Sequence, residues 1–122
     1  MKEIKQVNLN GQIMKKIVFD IPSIYLMKSN SDSHYKIDVS KNPQKRLLSL
    51  QTGNSSLISL ICEYKTDKAY QIEKVLHRRY SHFNKEGEWF DLSIKEEALF
   101  VNECAKIEKN ITDLIKAGNE FI

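Results

Sequence analysis

Glu73 and His77 are the residues whose types and spacing most directly suggest chemistry. They lie in the segment YQIEKVLHRRY, residues 70–80, beside the apolar positions Ile72 and Leu76 of a predicted helix. Residues four apart share one side of a helix, so this carboxylate and this imidazole lie together at the margin of the apolar face. There each is partly desolvated and still able to reach a ligand. An ordinary solvent-facing pair explains the same spacing, so the rest of the chain must decide.

The middle of the chain is more basic than the rest. The net charge is only +3, but residues 65–85 hold six lysines and arginines against two acidic residues. Residues 92–122 hold four lysines against six acidic residues. A local basic surface fits a polyanionic partner such as nucleic acid. A solvated lysine-rich face explains the charge equally well.

The bulk properties indicate one globular domain. The chain has 122 residues, of which 41% are hydrophobic and 29% charged. No apolar run is long enough to span a bilayer, and the start of the chain has no signal-peptide core, so we expect a soluble, intracellular (cytoplasmic) protein with no membrane partner. Cys62 and Cys104 both lie in apolar segments without a second thiol or a histidine at metal spacing, which predicts neither a zinc site nor a disulfide framework.

Three strands are predicted. Residues 23–29 (SIYLMKS) and 34–40 (HYKIDVS) are rich in β-branched and aromatic residues, and the turn cluster NSDS at 30–33 joins them into a hairpin. The third strand, SSLISLICEY at 55–64, is continuously apolar, which predicts a place in the centre of the sheet.

Two helices have recognisable boundaries around these strands. For the first, Asn42 is a good N-cap, Pro43 suits the first helical position and Gly53 fits just past the end. For the second, Thr66 or Asp67 is the expected cap. The predicted apolar stripe of this second helix is Ala69, Ile72, Leu76, Tyr80 and Phe83.

The last part of the chain predicts a turn, a short aromatic segment and a long helix. The turn is placed at Gly87, the aromatic segment at residues 89–90, and a capping box at Ser93 and Glu96 opens the helix. Its apolar stripe is Phe100, Cys104, Ile107, Ile111 and Leu114. This stripe packs on the domain's own sheet or mediates self-association; the first use is favoured.

The predicted fold is an α/β (α+β) sandwich with helices flanking a three-stranded, mostly antiparallel sheet. Residues 1–22 are interpreted as an extension whose apolar residues pack on the domain, 23–92 as the core and 93–122 as a terminal helix of the same domain. The sequence contains no phosphate-binding glycine loop, no GxSxG and no HExxH.

Five short motifs carry a resemblance to a known family. They are SIY at 23–25, YKID at 35–38, KNPQKRL at 41–47, IEKVLH at 72–77 and GEWF at 87–90. In this order and spacing they resemble the GIY-YIG endonuclease superfamily, more narrowly a branch common in phages and large DNA viruses. The resemblance implies a GIY-YIG-like core and a Mg²⁺- or Mn²⁺-dependent endonuclease that cuts DNA inside the cell.

The resemblance also implies roles for five residues. Tyr25 corresponds to the tyrosine of the first tripeptide, and Lys36 stands where most of the superfamily has a second tyrosine. Arg46 corresponds to the arginine that clamps phosphate, and Glu73 to the carboxylate that binds the divalent metal. His77 corresponds to the histidine one turn later and, with Tyr25 or Lys36, would manage the attacking water and its protons.

Two further positions are possible members of the site. Glu88 corresponds to the glutamate of the EWF motif. Asp38 replaces the glycine of the family pattern and either repels a phosphate or helps to hold the metal. Because of Asp38, a degenerate module that binds nucleic acid without cutting it stays open as an alternative to the nuclease. A non-enzymatic interaction domain, whose long terminal helix mediates self-association, is a second alternative.

Overall fold

The computed structural model of this chain describes five ranges, residues 5–7, 13–15, 21–31, 34–84 and 89–118. Strands β1 (Lys5–Val7) and β2 (Ile13–Lys15) pair with each other in an antiparallel ladder. The prediction that the apolar residues of segment 1–22 pack on the domain falls outside the described residues. The same holds for the turn at Gly87.

A second, antiparallel sheet forms the framework of the domain. It contains β3 (Ser23–Ser29), β4 (Tyr35–Ser40), β5 (Ile58–Lys65) and β6 (Trp89–Phe90), in the spatial order β5-β3-β4-β6. The predicted β3–β4 hairpin is therefore confirmed. The predicted α+β class is confirmed as well, but the sheet has four strands rather than three.

Two expectations about this sheet are wrong. Three strands are expected in the sheet, but residues 89–90 form a fourth, short strand that pairs with Tyr35 and Lys36. A segment of two residues is too short to show the alternation of apolar and polar side chains that identifies a strand in a sequence. Strand β5 lies at an edge, not in the centre. Its apolar run is explained by helices that cover it from both faces of the sheet, because burial by helices demands apolar residues as much as burial between strands does.

The helices are α1 (Pro43–Thr52), α2 (Ala69–Arg79) and α3 (Ile94–Lys116), with a 3₁₀ turn at Ser81–Phe83. The caps predicted for α1 and α3 are confirmed: the Asn42 side chain accepts from the Lys45 N–H, and Ser93 and Glu96 form the reciprocal box. The cap predicted for α2 is wrong, because Lys68 holds that position, and the Thr66 hydroxyl instead accepts from the Lys68 N–H.

The sheet buries a separate apolar cluster on each face. Ile24 and Leu26 of β3 face α2 and α3, while the alternate residues Tyr25 and Met27 face α1, as the two-residue period of a strand requires. The larger cluster contains Ala69, Ile72, Leu76, Tyr80, Phe100, Cys104, Ile107 and Ile111. The predicted stripes of α2 and α3 are thus mostly buried within the domain.

The outer ends of both stripes are more exposed than predicted. Phe83 lies beyond the end of α2 in the 3₁₀ turn and is 44% exposed, and Leu114 is 36% exposed. No helix among the described residues is both long and apolar enough to cross a membrane.

Candidate functional site

Strand register brings Tyr25 and Asp38 side by side on the face covered by α1. The two residues are direct cross-strand partners in the β3–β4 ladder, so their side chains leave the sheet on the same side. Arg46 approaches this pair from α1, with its Nη2 3.7 Å from Asp38 Oδ2. A phenol, a carboxylate and a guanidinium, from two strands and one helix, therefore meet in one place.

The hydroxyl of Tyr25 is buried and has no hydrogen-bond partner among the described residues. Asp38 and Arg46 are close enough to act on its ionisation. Burial raises the pKa of Tyr25 above its usual range, the charge of Asp38 raises it further, and Arg46 opposes both. The phenol stays protonated at neutral pH, so it can donate a hydrogen bond but does not serve as a general base.

The Asp38 carboxylate is held by two partners. Its Oδ1 accepts the Val39 backbone N–H at 2.8 Å, and its Oδ2 faces Arg46. The side chain of Asp38 is 17% exposed and that of Arg46 is 48% exposed. Arg46 thus keeps a solvent-facing side from which it can reach an anion, while part of its charge is already opposed by Asp38.

Lys36 lies on the same face but does not reach its surface. It is 4% exposed, and its Nζ lies 5.9 Å from the centre of the Trp89 ring on β6. A cation at this distance from an indole face is attracted by it. Lys36 therefore packs its charge against Trp89 of β6.

His77 and Glu73 come from α2, which packs on the other face of the sheet. The Nε2 of His77 lies 2.7 Å from the backbone oxygen of Ile37, and the ring packs against Phe90 with 5.2 Å between ring centres. Because a carbonyl only accepts, Nε2 carries the hydrogen, and Nδ1 is left as the basic nitrogen. Glu73 is half-buried one helical turn earlier on the same side of α2.

The predicted site residues therefore form two groups in the structure. Tyr25, Asp38 and Arg46 meet on the α1 face, and Glu73 and His77 lie on α2. The link between them is the edge of β4, where the His77 ring binds the carbonyl of Ile37, the residue before Asp38. Glu88 lies outside the described residues.

The donor atoms available for a metal ion are few. No cluster of three or more His, Cys, Asp or Glu side chains occurs in the described part of the chain. Mg²⁺ needs fewer protein ligands than this, because it keeps several waters and takes oxygens from substrate phosphate. A single carboxylate such as Glu73 fits that requirement only together with a phosphate.

A cleft at the start of α1 was not recognised in the sequence. It has a volume of about 330 Å³ and is lined by Ser40, Lys41, Asn42, Lys45, Arg46 and Ser49. The available signal was the run SKNPQKR, which places three basic residues around a helix start. That the three basic residues line one cleft is seen only from their positions around the start of α1 in the structure.

The fold and the site define a small α+β domain that presents basic and hydroxyl side chains along one helix-covered face of its sheet. The chain belongs to the T5orf172 domain family, whose model matches residues 23–107. The resemblance to the GIY-YIG superfamily is corrected by this match: the family found is the T5orf172 domain. Short motifs with the expected order and spacing were not sufficient to identify the family.

The chain is also similar to a viral protein, the putative KilA-N domain-containing protein 315L of Invertebrate iridescent virus 6. The two are 32% identical over 75 residues, which are 57% of this chain and 32% of the viral protein. This chain thus matches about a third of that relative's length. No solved structure matches this chain.

Proposed function

We propose that this chain binds nucleic acid through the α1 face of its sheet and hydrolyses DNA phosphodiester bonds with the help of a divalent cation. Membership of the T5orf172 family and the similarity to a KilA-N domain protein both suggest a nucleic-acid-binding or nuclease-like domain. The observation that carries the proposal is the meeting of Arg46 with the buried hydroxyl of Tyr25, which has no hydrogen-bond partner among the described residues. A buried donor without an acceptor fits a site that a ligand completes.

Arg46 and Tyr25 supply the groups that a phosphodiester needs. Attack on phosphorus adds negative charge to its equatorial oxygens, and a fixed guanidinium stabilises that charge. The protonated phenol of Tyr25 can donate to an oxygen of the same phosphate when a movement of the α1 face uncovers its buried hydroxyl. Since Asp38 already opposes part of the Arg46 charge, a phosphate at the solvent-facing side of the guanidinium binds against repulsion from Asp38.

The α2 residues contribute from the edge of β4. Among the described residues, β6 covers only Tyr35 and Lys36 of β4, and the phosphate is placed at the strand edge beyond them, near Ile37. His77, with Nε2 bound to the Ile37 carbonyl, offers Nδ1 to accept a proton from the attacking water. Glu73 would hold Mg²⁺ or Mn²⁺, which supplies Lewis-acid stabilisation of the phosphate charge when bound.

Cleavage of supercoiled plasmid, with and without Mg²⁺ or Mn²⁺, tests the hydrolytic part. We expect metal-dependent nicking by the wild type and its loss in Glu73→Gln. The matched control is Glu63→Gln on β5, where the amide oxygen still accepts from the Ser23 hydroxyl. Equal nicking by wild type and Glu73→Gln, with both folded by circular dichroism, would contradict the role given to Glu73.

Binding without cleavage is the second candidate function. The Asp38–Arg46 ion pair favours it, because it weakens the clamp on which transition-state stabilisation depends. Tight binding of an oligonucleotide by the wild type, with no cleavage in either metal, would establish this candidate in place of the nuclease.

A further inference from the structure

The cleft at the start of α1 has the chemistry of an anion site. Its charged lining residues are Lys41, Lys45 and Arg46, and no acidic side chain is among the described residues that line it. The hydroxyls of Ser40 and Ser49 add neutral donors. Lysine and arginine attract the charge of a phosphate, and hydroxyls complete its hydrogen bonds.

The helix geometry explains how these residues share one cleft. Lys45 and Ser49 are four apart, so they lie one above the other on the same side of α1. Asn42 fixes the start of the helix through its bond to the Lys45 N–H, and Ser40 accepts the Asn42 N–H at 2.9 Å. The cleft is therefore a local, defined structure.

Arg46 joins the cleft to the candidate site. It lines the cleft and also lies 3.7 Å from Asp38 beside the Tyr25 hydroxyl. An anion in the cleft and an anion at Tyr25 would both lie beside the Arg46 guanidinium. A nucleic-acid strand presents successive phosphates in this way, whereas a single small phosphate cannot fill both places.

We infer that the cleft binds the backbone phosphate next to the one held at Arg46 and Tyr25, so that the strand is fixed by two consecutive phosphates. This inference rests on the proposed function, because it assumes that the α1 face contacts a strand. It predicts that the preferred ligand is a polynucleotide rather than an isolated phosphodiester. It also predicts that affinity depends on two adjacent charges of one strand.

A scan with neutral methylphosphonates tests this inference by binding alone. Fluorescence anisotropy is measured on a set of oligonucleotides, each with one phosphate made neutral. For the wild type we expect two adjacent positions at which neutralisation weakens binding. In the double variant Lys41→Gln/Lys45→Gln, overall binding is about tenfold weaker and sensitivity is lost at one of those positions. In Arg46→Gln, sensitivity falls at both positions, because Arg46 borders both phosphates.

The matched control is Lys106→Gln/Lys109→Gln on α3. It removes the same charge from side chains that are 72% and 76% exposed and pair with Glu103 and Asp113. An effect of the cleft variant no larger than that of this control would overturn the inference. Loss of sensitivity at both positions, or at neither, in the cleft variant would also overturn it. If the wild type binds no oligonucleotide, the proposed function itself fails and the inference falls with it.

Discussion

Replacing Asp38 by asparagine is the most informative change to the candidate site. The amide keeps an oxygen that can accept the Val39 N–H, now accepted at 2.8 Å by Asp38 Oδ1. It removes the charge that lies 3.7 Å from the Arg46 guanidinium. The local backbone is therefore preserved while Arg46 is released for a phosphate.

The size of the effect follows from the distance and the exposure. Two unit charges separated by about 4 Å interact by about 1 kcal/mol at the dielectric constant of water. Because the side chain of Arg46 is 48% exposed, a water-like value is appropriate, and exposed pairs measure about 0–1 kcal/mol. A phosphate on Arg46 meets repulsion of similar size from Asp38. Removing the charge should tighten nucleic-acid binding by up to about fivefold.

The assay is a titration of a labelled oligonucleotide at low salt, repeated at higher salt. Asp67→Asn is the matched control, because it makes the same charge change at a side chain that is 73% exposed and pairs with Lys68. We expect less than a twofold effect from the control. Both variants should bind more weakly as salt is added, since phosphate contacts release counterions.

Two results would refute the account of Asp38 as a competitor for Arg46. The first is unchanged or weaker binding by Asp38→Asn in a folded protein. The second is loss of a cleavage activity that the wild type possesses, which would make Asp38 a metal ligand or a base.

Four further predictions concern stability and are tested by chemical or thermal unfolding. Glu108→Gln should cost about 1–3 kcal/mol, because the carboxylate accepts from the hydroxyls of both Tyr64 and Thr66; an unchanged midpoint would contradict this. The hydrogen bond to Glu108 raises the pKa of the Tyr64 hydroxyl to about 12. The protonated hydroxyl therefore stabilises the fold fully below pH 10, and this stabilisation is lost as the pH rises towards 12. Tyr64→Phe should make the fall in the free energy of unfolding over this pH range shallower. Phe100→Ala should lower the free energy of unfolding by about 3–5 kcal/mol, because the ring is 1% exposed in the core. A loss below about 1 kcal/mol would contradict this and would show that neighbouring side chains fill the space left by the ring. Gln51→Ala should cost about 1–3 kcal/mol, because its amide bonds the backbone of Ser56 and Ile58 at 2.8 Å; an equal stability would refute that role.

Local features of the fold were predictable from the sequence. The Asn42 and Ser93 caps depend on residues three positions away, so their signals are contained in short segments. The hairpin and the buried stripes follow from periods of two and about 3.6 residues. These features located most helix and strand boundaries correctly.

Non-local features were not predictable in the same way. The edge position of β5 and the pairing of β6 depend on which strands become neighbours, and a continuous apolar run is compatible with several arrangements. The contact between Arg46 and Asp38 depends on strand register and helix placement together. Sequence identified five candidate residues but could not assign Glu73 and His77 to the opposite face from Tyr25 and Arg46.

The central claim is that nucleic acid binds on the α1 face. It is tested most directly by comparing Arg46→Gln on α1 with Arg78→Gln on α2, since both remove one exposed guanidinium from the chain. Residue Arg78 belongs to the basic segment 65–85 that the charge pattern alone would favour. In oligonucleotide binding by anisotropy, the account predicts about tenfold weaker binding for Arg46→Gln and less than a twofold change for Arg78→Gln. The reverse order of effects would contradict it and place the interface on α2.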